Sequence, residues 1–154
     1  LNNVLIQDAK VVQDGSNIIG SQSIIGSIDI RRTLFGNYHL YSYLHNKNLS
    51  IKLEEHLKLL EDLGVGEILV NVIDRDGTWK GYDLDLVAQL TKFIKVPLVV
   101  LGGAGCLNDL KQAIDSGADA AAVGSMFSFQ GQGQGVLTNY PSSIELDALF
   151  NDEN

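Results

Sequence analysis

The sequence holds a single cysteine, Cys106, and only two prolines in 154 residues. One cysteine cannot close an internal disulfide, which fits a reducing, cytoplasmic setting. Cys106 itself is read as a packed small side chain rather than a nucleophile. No apolar run approaches the roughly 18–20 residues that span a bilayer, and the first residues carry no signal-peptide pattern. Positive charge is scarce as well: 11 Lys and Arg against 19 Asp and Glu leave a net charge of −8. Nucleic-acid surfaces are normally basic, so DNA and RNA are not expected partners, whereas a small phosphorylated ligand held by backbone N–H groups remains open. The three histidines, His39, His45 and His56, show no metal-ligand spacing. No G-x-S-x-G elbow, Walker loop or cysteine cluster is present. The chain opens at Leu1 and not at methionine, as a processed or partial chain would.

What remains is 45% hydrophobic, enough for one domain with a core. Short apolar runs alternate with helical patterns. "SIIGSID" (23–29), "EILVNVID" (67–74), "VPLVVLGG" (96–103) and "ADAAAVGS" (118–125) read as buried parallel strands. "KLEEHLKLLEDLG" (52–64) spaces Leu53, Leu57, Leu60 and Leu63 along one helical face and stops at Gly64. "DLDLVAQLTKFIKVP" (83–97) has Asp83 as its N-cap, and "NDLKQAIDSG" (108–117) has Asn108 as cap and Gly117 as stop. "SSIELDALF" carries a capping box, Ser142 with Glu145. The first twelve residues predict a helix with Val4, Leu5, Val11 and Val12 as core candidates. "LFGNYHLYSYL" (34–44) predicts a β-hairpin inserted after Asp29, over about 33–44, turning at Gly36-Asn37. Its aromatics, Phe35, Tyr38, Tyr41 and Tyr43, are read as packing over a rim. A helix-ending glycine followed by a strand recurs at Gly64 and Gly117, the signature of a parallel α/β sheet, open or barrel-shaped.

In such sheets ligands meet the carboxyl ends of the strands. Those ends hold Asp29, then Asn71 with Asp74–Thr78, then Gly102-Gly103-Ala104-Gly105, then Gly124-Ser125. "GGAG" lets backbone N–H groups approach a ligand just before a helix, and two adjacent turns of small residues make a barrel phosphate site. The plainer reading, that these glycines only permit tight strand–helix turns, stands beside it. The acidic stretch "DRDGTWKGYD" (74–83) fails as a calcium loop, because Trp79 falls on the sixth position, where an EF-hand needs glycine. It reads instead as a phosphate-side loop. Asp76, Gly77 and Thr78 would face the ligand, Asp74 and Arg75 would organise the loop, and Asp83 would cap the next helix. No metal site is expected.

Together, "GEILVNVIDRDGTWKGYD", "VPLVVLGGAG" and "GADAAAVGSMFSF", with "SIDIRR" before them, closely resemble the cyclase subunit of imidazole glycerol phosphate synthase, HisF. The likeness runs from around Gly20 to Phe129, and "KGYD" combined with "GGAG" separates it from the sister isomerase. The resemblance implies a (β/α)8 TIM barrel of about 250 residues. This chain would be its C-terminal half, one domain over 1–154 with about four parallel strands and the inserted hairpin. It further implies a lyase of histidine biosynthesis that needs no cofactor. Such an enzyme takes ammonia from a glutaminase subunit through the barrel interior and adds it to a ribulosyl substrate bearing two phosphates.

Carried over by position, Asp29 matches one of two acid–base groups, and Asn71 stands where a polar threonine often faces the substrate. Asp76, Gly77 and Thr78 match the second-phosphate side, and Gly102, Gly103, Gly124 and Ser125 the phosphate-binding turns. Glu67 matches a member of the ring that gates ammonia. The family's first four strands, with its other catalytic aspartate, have no match here. The resemblance therefore implies a partner half-barrel or self-association, and little activity from this half alone. "GVLTNYPSSIELDALF" resembles instead a HisF-like branch of surface-polysaccharide clusters, which passes ammonia to a sugar nucleotide to make an amidino group. Trp79 and the hairpin also sit outside the histidine-pathway pattern. An inactive half-barrel fragment is the third reading.

Overall fold

The computed structural model describes residues 8–129, 131 and 135–151. Within these residues the first element is α1 (Ala9–Ile19), with a 3-10 turn (Ser21–Ser23) after it, followed by β1 (Ile25–Arg32), β2 (Tyr38–Ser42) and β3 (Lys47–Asn48). Then come α2 (Leu53–Asp62), β4 (Glu67–Val72), α3 (Leu84–Leu90), β5 (Leu98–Leu101), α4 (Leu107–Asp115) and β6 (Ala120–Ala121). Two helices, α5 (Ser125–Ser128) and α6 (Ser143–Asn151), finish it.

The strands form one sheet in the order β3-β2-β1-β4-β5-β6. The run β1-β4-β5-β6 is parallel, and β2 and β3 add an antiparallel edge. Helices stand between successive parallel strands, the arrangement expected when apolar strands alternate with amphipathic helices.

One face of this sheet carries the core. Ile28, Ile30, Ile68, Val70, Val72, Leu98 and Val100 pack with Leu57 and Leu60 of α2, Leu86, Val87 and Leu90 of α3, and Leu110 and Ala113 of α4. Each buried Val, Leu or Ile side chain among them contributes about 1.5–3 kcal/mol. The missing Cβ of Gly26 would sit 3.3 Å from Leu60 and Val65, which fixes that face as the helix side. Strand alternation then puts Ser27, Asp29, Arg31, Glu67, Leu69, Asn71, Val99 and Leu101 on the opposite face.

Several local details depart from the sequence reading. Asp29 does not end its strand, because β1 runs on through Arg32 and becomes the first arm of the hairpin. Leu34 and Phe35 are therefore exposed tip residues and not strand, with Gly36 and Asn37 closing the turn onto Thr33. Asn108 is not the cap of α4: Cys106 is, in a capping box closed by Asp109. The reason is that Asp109 Oδ2 accepts from the N–H of Gly105 and of Cys106, at 2.8 and 3.0 Å, and so starts the helix earlier.

The N-terminal helix begins at Ala9 behind an Asp8 cap. Val12 is in the core but Val11 is half exposed, while Val4 and Leu5 lie outside the described residues. The run at 118–125 is paired strand over Ala120–Ala121 alone. Asp83 and the Ser142–Glu145 box cap their helices as read.

Candidate functional site

Near the carboxyl end of the stretch where β1 pairs with β4, Asp29 and Asn71 are register partners. Asn71 Nδ2 donates to Asp29 Oδ1 at 2.9 Å. Asp29 is only 6% exposed, so this charge-assisted bond lies where solvent screens it little. The other amide atom, Asn71 Oδ1, is buried and has no hydrogen-bond partner among the described residues. A Cβ on Gly102 would lie 3.3 Å from that oxygen and 2.7 Å from the Val72 carbonyl. Asp29, Asn71 and Gly102 are thus one contiguous group.

The loop after β4 is tied down by its flanks. Asp74 Oδ2 accepts the Arg32 N–H at 2.7 Å, and Asp74 Oδ1 lies 3.5 Å from Arg31 Nε. Arg75 donates to the carbonyl of Gly81 at 3.0 Å, and the Thr78 hydroxyl donates to the Arg75 carbonyl at 2.7 Å. Asp74 and Arg75 are therefore the loop's organisers, while Asp76 and Gly77 are exposed. Nothing lies within 4 Å of a Cβ built on Gly77.

The "GGAG" turn packs directly beneath this loop. Gly103 has φ +112 and a Cβ there would strike the Gly81 carbonyl, while one on Gly105 would fall 2.5 Å from the Trp79 carbonyl. These glycines are required by loop-on-loop packing whatever else they do. Gly124, by contrast, is exposed with open space around it, and it caps the short α5 that begins at Ser125. The Tyr82 hydroxyl donates to the Ala122 carbonyl at 2.7 Å and joins the loop to the residue just after β6. Burial, then the charge of Asp109, pushes that phenol well above its ordinary range. Glu67 is not brought to the group. It shares Asn71's face but lies four residues back along β4, about 13 Å away at the opposite strand end.

Two features escaped the sequence reading. Asp83, 2% exposed, is a hub as well as a cap. Besides the Leu86 N–H it takes the Tyr38 hydroxyl at 3.0 Å, and Arg32 and Arg75 lie 3.6 and 3.7 Å from its second oxygen. Burial and that hydrogen bond push the Tyr38 phenol up to about 12. The second feature is Arg31 with Tyr41 and Tyr43 beside Asp29; two-residue alternation from Asp29 was the signal for it. Among the described residues no group of His, Cys, Asp and Glu is placed to hold a metal ion, and no helix is long and apolar enough to cross a membrane.

Parallel strands with helices between them, and polar groups gathered towards their carboxyl ends, place the chain in the parallel α/β class, which holds both open sheets and barrels. The family described as "Histidine biosynthesis protein" matches over residues 1–133, and the chain belongs to that TIM-barrel family. It is 38% identical over 147 residues to a Vibrio vulnificus protein named "Putative imidazole glycerol phosphate synthase subunit hisF3", covering 94% of this chain and 56% of that protein. A Leptospira interrogans protein named "Putative imidazole glycerol phosphate synthase subunit HisF" is 38% identical over 152 residues, 97% of this chain and 60% of its own length. The "Imidazole glycerol phosphate synthase subunit HisF" of Petrotoga mobilis is 31% identical over 147 residues, 95% of this chain and 56% of its own. The chain thus spans little more than half the length of these curated relatives.

Proposed function

We propose that this chain supplies the carboxyl-terminal half of an ammonia-using cyclase of the imidazole glycerol phosphate synthase type. The observation that carries the reading is the buried Asp29 held by Asn71 against Gly102, at the carboxyl ends of parallel strands. Asp29 would serve as one acid–base group of the ring closure, the second coming from the rest of the barrel. Asp109 already uses the N–H groups of Gly105 and Cys106. An anion cradle would therefore draw on the Gly102, Gly103, Gly124 and Ser125 backbone, with Asp76, Gly77 and Thr78 at the opposite lip. Phosphates held at two places would pin the substrate in reactive geometry. Glu67, at the far end of the same face, would stand where ammonia enters from a glutaminase subunit.

A second reading keeps the ammonia chemistry and changes the acceptor to a sugar nucleotide. It is favoured by the tail after Gly135 and by Trp79, whose φ of +62 forces a left-handed turn in the loop facing the ligand. Both readings are tested by assaying turnover with ammonium salts, offering the ribulosyl ribonucleotide and a sugar nucleotide in parallel, with the complementary half-barrel present. Asp29→Asn should lower the rate by about 10²–10⁴-fold with the true acceptor. Turnover of neither acceptor, or an undiminished Asp29→Asn rate, would overturn the cyclase assignment.

A further inference from the structure

Arg31 stands two residues beyond Asp29 on the same face of β1. Its guanidinium carbon lies 4.2 Å from the centre of the Tyr41 ring, a cation–π seat. Tyr41 is itself buried, and its hydroxyl donates to Asn46. Tyr43 meets its ring edge-on, with centroids 5.0 Å apart at 84°. The hairpin therefore holds the guanidinium in place over a fixed aromatic shelf.

The charge on that shelf is only partly used. Arg32 and Arg75 both face the buried Asp83 carboxylate. Arg31 instead shares Asp74, whose other oxygen takes a backbone N–H. Its Nε, 3.5 Å from Asp74, makes no hydrogen bond among the described residues. A guanidinium has five N–H donors in a planar fork, and the side chain is still 42% exposed. Around it the charge is negative. Desolvation raises the Tyr43 phenol first, then Asp29, Tyr41 and Asp76 raise it further while Arg31 lowers it, so these groups are within electrostatic reach of one ring. A phosphorylated substrate approaching Asp29 in a chain of charge −8 would meet repulsion from Asp29 and Asp76 unless a cation offset it.

We propose that Arg31, seated on Tyr41 and steadied by Asp74, is the side-chain anion-binding arm of this site. It would grip a phosphate group of the substrate in fork geometry, next to Asp29 and separately from the glycine turns. This rests on the reading that the substrate is phosphorylated.

The test is binding, independent of turnover. Inorganic phosphate is titrated into the purified protein and followed by ³¹P line broadening, at fixed low ionic strength, with acetate as the competing anion. The comparison set is wild type, Arg31→Gln, Arg31→Lys and Lys58→Gln, the last removing a charge from the exposed face of α2. Wild type and Lys58→Gln should bind alike, Arg31→Gln should bind at least tenfold more weakly, and Arg31→Lys should fall between them, with circular dichroism unchanged throughout. Equal binding by Arg31→Gln and wild type would overturn the inference and leave the glycine turns as the phosphate site. No phosphate binding by wild type would overturn it too. Neither result would touch the cyclase assignment, which is decided by turnover with the two acceptors.

Discussion

Asn71 and Asp29 face each other across two parallel strands, amide nitrogen to carboxylate at 2.9 Å, so the orientation of the candidate acid–base group is set by a residue from another βα unit. The acid–base role proposed for Asp29 would depend on that orientation. Asn71→Ala should lower kcat by about 10–100-fold. Steady-state kinetics on the ammonia-dependent reaction would check it, and an unaltered kcat would reduce the bond to packing.

Asp83 joins the hairpin, the loop after β4 and the start of α3 through Tyr38, Arg32, Arg75 and the Leu86 N–H. Its removal uncaps a helix and leaves two arginines without their shared partner. Both arginines are partly solvated, which moderates the cost. Asp83→Ala should lose about 2–4 kcal/mol, below the cost of a fully buried pair. Tyr38→Phe, which deletes one hydrogen bond, should lose about 1 kcal/mol. Urea unfolding of both variants gives the comparison.

Two glycines at the same rim should behave oppositely. A methyl group on Gly103 strikes the Gly81 carbonyl at a φ of +112, so Gly103→Ala should cost about 3 kcal/mol or more. Gly124 has open space about it, and Gly124→Ala should stay within about 0.5 kcal/mol of wild type. If the Gly124 amide serves a phosphate, that stable variant should still bind phosphate more weakly. Thermal melts and phosphate titration read the two effects separately.

His56 lies in the core on α2, with its Nδ1 lacking any partner among the described residues. Burial holds its pKa below the ordinary histidine value. The unfolded chain thus binds the proton more readily than the folded one below about pH 6.5. The stability that neutral His56 contributes is whole above that pH and is lost as the pH falls towards the lowered folded-state value. The slope from this group is at most about 1.4 kcal/mol per pH unit. Urea midpoints at pH 5, 6 and 7.5 should fall on acidification, and His56→Leu should flatten that part of the profile. A wild-type curve flat from pH 7.5 to 5 would contradict this.

The sequence was most readable where local chemistry and tertiary contact agree. The α2 leucines, the Asp83 cap, the Ser142–Glu145 box and the parallel strands all follow from periodicity and cap residues, since burial acts on the same positions. Asp29 looked like a strand end because Arg31 and Arg32 are charged. In the structure those charges are met by Asp74 and Asp83, 43 and 51 residues further on, so the strand continues. The cap at Cys106 was missed for a local reason. Cysteine is a poor capping residue, and Asp109 reaching back does most of the work. Asn71's attachment to Asp29 needed the register of β1 against β4, which no single strand encodes.

With helices packed against one side of the parallel strands, odd and even positions of β1 and β4 carry different physical loads. A saturation scan of β1 and β4 should print as stripes. Substitutions at 28, 30, 68, 70 and 72 would register as loss of soluble protein. Those at 29, 31 and 71 would leave yield intact and alter only what the protein does. Such a pattern would separate the positions that hold the sheet against its helices from those that face the candidate site.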